Sequence, residues 1–566
     1  MKTTKTSFKT TVVWNNINWK KIQKKVFKLQ KRIHKAAQRG DVKAMRRLQK
    51  TLMKSWYAKL LATRTVTQDN KGKKTAGVDG VKSLGYAQRL ELAKNLGTTT
   101  KVKPTRRIWI SKAGTDEKRP LEIPTMADRA LQALAKLALE PEWEAKFEPN
   151  SYGFRPGRAA HDAIEAIHLA IHCKAKYVLD ADISRCFDNI DHRKLLNKLN
   201  TYPSMRRLIR NWLKAGFMDE CDMFPAETGT PQGGVISPLL LNIALHGMEE
   251  VIKEYANTLP TYRNYGKKQN RNALSLIRYA DDFVIIHEDI NVVLGAKTVI
   301  ESFLKNIGLE LKPSKTRICH TFEEYEGEKP GFDFLGFYIR QFPANDGMKA
   351  GKMPTPQAPK SGKILGFQTI IQPSKKAVQR HYQVISEIIN SHKAAPQKAL
   401  IQKLNPIIQG WANYYSTACS TDVFRDLNHQ IYTKLTSWAK YRHPSKGAKW
   451  VADKYWTTVG GDNWVFGYIN PDTDERYILS KHTWTKIVRH IKVKGDRSPY
   501  NGDFVYWGKR KFDNLQALHR HCHDQKTAKD GSLSSSHDKG MFSEEPDEVK
   551  VSCPVLETSS IREGVA

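Results

Sequence analysis

A chain of 566 residues with 40% hydrophobic content is long enough for three or more domains and too apolar for a disordered polymer. Its 93 Lys and Arg against 57 Asp and Glu leave a formal charge of +36. No fold needs that self-repelling excess, so it marks a polyanionic partner, nucleic acid before an anionic membrane surface. No apolar run approaches the roughly 18–20 residues of a membrane span, so no membrane partner is expected. Seven cysteines without a CxxC pair argue against a disulfide framework and for a reducing compartment. Residues 1–11 are basic without the apolar core of a secretory signal, which fits the cytoplasm, with an organelle as the other reading.

Residues 17–66 are predicted to be helical and basic. Ile22, Val26, Leu29 and Ile33 share one face, Gly40-Asp41 breaks the run with Asp41 as N-cap, and Val42, Met45, Leu48, Leu52 and Trp56 resume the period. Lys20, Lys21, Lys24, Lys25, Lys28, Lys31 and Arg32 lie between the apolar positions, as either a solvated face or a phosphate-tracking surface. A loop at 68–74 follows. Arg107-Ile108-Trp109-Ile110 and Leu121-Glu122-Ile123 read as a hairpin, its tip flanked by Lys112 and Arg119. Cations so placed suit a triphosphate, Lys as a point charge and Arg as a fork. A helix is expected over 126–139, then a basic loop punctuated by Gly and Pro at 150–158.

Tyr177-Val178-Leu179 reads as a buried strand running into Asp180, Asp182 and Asp188. Asp182 ends the strand just before Ile183; spacing alone does not sort Asp180 and Asp188 into ligands or solvated acids. After a helix around 206–215, Gly229-Thr230-Pro231-Gln232-Gly233-Gly234 brings backbone close to a ligand, with Gln232 both donor and acceptor. An apolar helix at 239–248 leads to residues 276–286, two apolar runs meeting at a tight turn that carries Asp281 and Asp282. Adjacent carboxylates at the tip of a buried hairpin repel, and a divalent metal ion would neutralise them. A helix at 294–307 precedes Lys315 and the Gly331-Phe332-Asp333-Phe334-Leu335-Gly336-Phe337 run.

The ordered blocks Lys118-Arg119-Pro120-Leu121, Ser151-Tyr152-Gly153-Phe154-Arg155, 182–190, 229–238 and Tyr279-Ala280-Asp281-Asp282 resemble those of group II intron-encoded reverse transcriptase–maturases. The resemblance spans about residues 15–510. It implies an α+β right-hand polymerase with an antiparallel palm sheet, a helical thumb or maturase domain, a small C-terminal DNA-binding segment and a disordered tail. It divides the chain into a basic helical extension (1–66), fingers and palm (67–340), maturase domain (341–460), DNA-binding segment (461–510), an endonuclease remnant (511–528) and the tail (529–566).

Carried over residue by residue, the resemblance makes Asp182, Asp281 and Asp282 the catalytic acids. They would hold two Mg2+ ions, with the Ile183 carbonyl as a further oxygen ligand. Lys112, Arg119, Gln232 and Lys315 would contact the incoming deoxynucleotide (dNTP), and Phe187 would exclude a 2′-hydroxyl.

In the maturase-like block Trp411 and Tyr415 read as core. Lys434, Lys440, Arg442, Lys446 and Lys449 are the candidates for RNA contact, since their charge has no core role. Short strands rich in Lys, Arg and Tyr are expected over 464–510.

Residues 512–524 look like the last third of an HNH nuclease motif. There is no room upstream for its general base, and His519, Cys522 and His523 fall short of a closed four-ligand site. Endonuclease activity is therefore expected to be absent, and the chain after 529 to be disordered. The implied function is an RNA-directed DNA polymerase that binds its intron RNA, assists splicing and copies the intron into target DNA, in a cytoplasmic, nucleoid-associated setting. The alternatives are a splicing-only maturase and a domesticated polymerase without an intron. The intact acids favour the first reading.

Overall fold

The computed structural model describes residues 14–97, 102–111, 118–219, 222–261, 266–344, 365–470, 475–495 and 497–508. Its N-terminal helices form where the apolar period puts them. Trp19–Gln38 is capped by Asn18, and Asp41 caps Val42–Lys54 by accepting from the Ala44 N–H at 2.9 Å. Ile22, Val26, Ile33, Met45 and Leu52 are buried, while Val42, the first residue of its helix, and Trp56, just past a second break at Ser55, remain exposed. The lysines between them face solvent, apart from a half-buried Lys31. These helices pack on the helix Met126–Glu144, which runs one turn beyond the expected end despite Pro141.

Strands follow in chain order: β1 (Thr105–Ser111), β2 (Lys118–Ile123), β3 (Tyr177–Asp182), β4 (Phe217–Asp219), β5 (Asp222–Phe224), β6 (Ser275–Tyr279), β7 (Asp282–His287) and β8 (Arg317–His320). The fingers sheet runs β2-β1-β4-β5, with β1 antiparallel to β2 and parallel to β4. The palm sheet runs β6-β7-β3-β8 and is antiparallel throughout. Side chains alternate across a strand, so the palm sheet divides its apolar residues between two cores. Leu179, Ala181, Phe283 and Ile285 join the large core shared with the N-terminal helices and with Ser237–Leu245, Met248–Thr258 and Ile290–Lys305. Val178, Ile277, Val284, Ile286 and Cys319 face the helix Ala160–Ile171 and the base of the thumb. The apolar helix expected over 239–248 is two helices, since Gly247 takes φ +99° between them.

β9 (Phe332–Phe334), β10 (Phe337–Pro343) and β11 (Phe367–Pro373) make a third sheet that carries the thumb. Three helices follow, Lys375–Ser391, Gln397–Tyr415 and Thr421–Arg442, around their own apolar core. Tyr415 is core as expected; Trp411 is only half-buried, amid Tyr415, His381, Phe424 and His482. The Tyr414 and Tyr415 hydroxyls donate to the Leu335 and Gly336 carbonyls at 2.9 and 3.1 Å, which ties the thumb to the last palm turn. Gly336 is required there: φ is +84°, and a Cβ would sit 2.7 Å from the Tyr415 hydroxyl.

The strands expected over 464–510 occupy only its start. β12 (Trp456–Val459), β13 (Asp462–Ile469) and β14 (Arg476–Ile478) pack on the thumb, and residues 482–495 and 497–508 then run back across the fingers and palm as coil with short helical turns, the last at Phe504–Gly508. Among the described residues this segment pairs with no strand, and its polar groups bond instead to the Ser416 carbonyl of the thumb and to side chains of the first half such as Asp162 and Arg158. Among the described residues no helix is long and apolar enough to cross a membrane. The endonuclease-like residues His519, Cys522 and His523, with the whole of 511–528 and the tail 529–566, lie outside the described residues.

Candidate active site

The expected acidic hairpin forms, with Tyr279 paired to Asp282 across a two-residue turn, Ala280-Asp281. The neighbouring β3 is in a register that sets Asp182 opposite Asp282. Beyond Asp182 the chain bridges once to Leu311, through Ser184 N–H to Glu310 O and Lys312 N–H to Asp182 O, at 2.9 and 2.8 Å. In such a non-hydrogen-bonded antiparallel pair the residue's own carbonyl points away from its partner. Ile183 O is therefore directed to the β7 side, where the acidic turn lies.

The electrostatics of this mouth are those of crowded acids. Asp282 has an edge exposed to solvent but is backed by packed strand atoms, and that loss of water pushes its carboxyl up to about 7, with repulsion from Asp281 and Asp182 adding. Burial also raises Asp281, against a backbone hydrogen bond that lowers it, and Asp182 raises it further. Asp180, on the same face two residues before Asp182, is pushed up to about 6 by burial despite Arg317 at 3.3 Å. Lys315, on a short turn after β7's following helix, donates to Asp182 Oδ2 at 2.5 Å, and this bond raises the ammonium above its ordinary range.

Hard, mutually repelling oxygens are the donor set that suits a divalent cation. Among the described residues no three acidic, histidine or cysteine side chains yet converge on one point, since Asp182 turns to the ammonium, its nearest counter-charge. Asp180, Asp182, Asp282, Ser314, Lys315, Arg317, Asp333 and Lys376 line a cavity of about 370 Å³ beside the acids.

Of the other expected residues, Arg119 is exposed near the fingers tip and its charge acts on Asp281. Phe187 is half-buried and stands edge-on to Phe154, centroids 6.5 Å apart. The Gln232 side-chain amide donates to Asp188 Oδ1 at 3.0 Å, and its backbone carbonyl accepts from Glu122 N–H at 2.7 Å, tying the glycine-rich loop to β2. That bond gives Asp188 a role within the protein, a choice spacing had left open. Lys112 lies outside the described residues.

In the thumb, Lys440, Lys446 and Lys449 are exposed and Lys434 is half-buried. Arg442 departs from the expected free charge: its guanidinium donates to the Lys393 and Ala395 carbonyls at 2.8 and 2.9 Å and so closes the loop after the first thumb helix.

Sequence reasoning passed over the support beneath the acidic turn. Arg278 is 1% exposed. It donates from Nη1 to Ala280 O at 3.0 Å and Asn242 Oδ1 at 3.1 Å, and from Nη2 to Ser151 Oγ at 2.8 Å. Asn242 in turn donates to Gly153 O at 2.8 Å. The available signal was an arginine flanked by apolar strand residues; its partners, 127 and 36 positions away, were not readable.

Residues 110–339 match the family described as reverse transcriptase (RNA-dependent DNA polymerase), residues 14–96 the N-terminal domain of reverse transcriptase, and residues 378–456 the group II intron maturase-specific domain. The chain is 33% identical over 305 residues to Protein YkfC of Escherichia coli (strain K12), covering 48% of this chain and 77% of that one. It is 28% identical over 426 residues to the group II intron-encoded protein LtrA of Lactococcus lactis subsp. cremoris, covering 64% and 69%. Maturase-like protein 1 of Euglena gracilis is 28% identical over 422 residues, covering 71% and 77%.

Proposed function

Because this chain belongs to the group II intron-encoded reverse transcriptase–maturases, RNA-directed DNA polymerases whose partner is an intron RNA, we propose that Asp182, Asp281 and Asp282 carry its nucleotidyl transfer. The family uses divalent metal; two Mg2+ ions held by these acids and the Ile183 carbonyl are the reading that the donor chemistry supports. Bound there, they would supply Lewis acidity that activates a primer hydroxyl and offsets charge on the departing pyrophosphate.

The protein's own groups do the rest. Asp182, on the strand end, and Asp281 and Asp282, at the tip, present oxygens from two rigid strands. Lys315 leaves Asp182 to meet the phosphates of the incoming dNTP, and Arg119 and Lys112 approach from the fingers. Gln232 positions the base-paired nucleotide, and Phe187 packs against its sugar. Lys434, Lys440, Lys446 and Lys449 track the intron RNA, with Arg442 shaping the surface that presents them. Assistance to splicing, and copying of the intron into a DNA target in the cytoplasm near the nucleoid, complete the proposal. The excess of positive charge supports it.

The observation that carries this reading is the register that puts Asp182 across from Asp282. Asp281→Ala should abolish primer extension on an RNA template, by about a thousandfold or more, while intron RNA binding stays within about twofold. Retained extension, or equal loss of both activities, would count against it.

A further inference from the structure

The turn that bears Asp281 and Asp282 is not a relaxed one. Ala280, the first of its two central residues, has φ +59°, while Asp281 keeps a negative φ. That is the sign pattern of a turn that ordinarily takes glycine at this position, because a Cβ crowds the backbone there. An alanine holds the conformation only if its surroundings impose it.

Two contacts do so. From one side, Gly153 lies so close that a Cβ on it would stand 2.3 Å from Ala280 N. Its loop is held against β6 by Arg278 N–H to Asn150 O and Tyr152 N–H to Arg278 O, both 2.9 Å. From within, the Arg278 guanidinium grips the Ala280 carbonyl and, through Ser151 and Asn242, the same loop. The result is a closed ring: Arg278, the Ala280 carbonyl, the Gly153 contact, Asn242, and Arg278 again.

Arg278 makes this grip at a cost. It is buried, its Nε finds no partner among the described residues, and no carboxylate there stands within salt-bridge distance of it. Glu148 influences it only through space. A buried, incompletely paired guanidinium is poor stabilisation when an apolar residue would fill the volume.

We propose that Arg278 is a positioning residue for the polymerase reaction. Its fork fixes the Ala280 carbonyl, hence the left-handed turn, and hence the direction in which Asp281 and Asp282 present their oxygens to the divalent cations. The proposal rests on the catalytic reading of those acids. Arg278 touches neither substrate nor cation; it acts through the backbone. Lysine cannot replace it, since one ammonium cannot hold a carbonyl, an amide oxygen and a hydroxyl in the plane of a fork.

The test is Arg278→Lys, which keeps the charge. Primer extension should fall about 10- to 100-fold in kcat, the scale of a small misplacement of reacting groups. The KM for dNTP should change far less, and the Mg2+ concentration for half-maximal rate should rise several-fold. The readout without turnover is Mn2+ binding by EPR, with dNTP and a dideoxy-terminated primer on its RNA template; its affinity should weaken in parallel. Ala280→Gly in the Arg278→Lys background should restore part of the loss, because glycine adopts the turn unaided.

A folded Arg278→Lys protein with wild-type kcat and cation dependence overturns the proposal. If that variant fails to fold, Gly153→Ala decides, since it moves the turn with every charge in place: a weakened cation affinity supports the proposal and an unchanged one overturns it. Asp281→Ala separates the two levels. Extension surviving in Asp281→Ala sinks the catalytic reading itself; extension lost there but intact in Arg278→Lys sinks only the role of Arg278.

Discussion

His381 and His482 carry the clearest residue-scale consequence outside the active site. Their Nε2 atoms are 2.8 Å apart, His381 stacks on Trp411 at 4.5 Å, and His482 Nδ1 and its backbone N–H both reach Asn428 Oδ1. Only one proton fits between the two Nε2 atoms, so the two rings are never charged together. Burial lowers His482 to about 3 and, with repulsion from His482 adding, His381 to about 2. Both values lie below the unfolded 6.5, so the unfolded chain takes up protons first, and stability present above pH 6.5 is lost as pH falls toward 3. By pH 5 the loss is about 2 kcal/mol per histidine. Trp411 fluorescence during thermal unfolding should therefore report a melting point that drops between pH 7 and 5. In His381→Phe that slope should flatten; an equally steep slope would remove the pair as its source. At the active site, Phe187→Ala should raise ribonucleotide over deoxyribonucleotide incorporation about tenfold or more. An unchanged ratio would leave Phe187 as packing for Phe154 and no more.

At the scale of elements, local signals fix local structure. The break at Gly40, the cap at Asp41 and the acidic hairpin depend on neighbours a few residues away, and each formed where expected. Residues 488–495 and 497–507, by contrast, take their shape from a distant surface and carry no local signal of it. Val488 N–H donates to Ser416 O at 2.8 Å. His490 and Val493 N–H bond to the buried Asp162 carboxylate at 2.9 and 2.7 Å, and Tyr500 to Glu140 at 2.8 Å. Trp507 packs on Gly157, near Phe27 of the first helix. This strap joins the thumb, the first half of the chain and the N-terminal helix. Trp507, 1% exposed, is its anchor. Trp507→Ala should weaken docking of the strap by about 3–5 kcal/mol, the usual cost of truncating a buried Trp. Hydrogen exchange should then rise in the strap and in Trp19–Gln38 and not in the thumb helices. Unaltered protection there would show that the strap holds nothing.

For the whole molecule, charge decides behaviour toward nucleic acid. A protein of +36 with lysine-rich outer faces on its first helices and thumb binds by releasing counterions. Affinity for intron RNA should fall about a thousandfold or more between 50 and 200 mM salt if six or more phosphates are contacted. A shallow slope on a double-logarithmic plot would contradict that. The sequence by itself determined the polyanionic partner, the order of the polymerase and maturase blocks, and the two acids at a hairpin tip, because composition, periodicity and turn chemistry are properties of short stretches. Tertiary structure alone decided that Asp182 faces Asp282, that Lys315 holds Asp182, that Arg442 is a loop clasp and that Arg278 braces the acidic turn. Those are partnerships between residues tens to hundreds of positions apart, and a side chain's partner is fixed only once packing has chosen which surfaces meet.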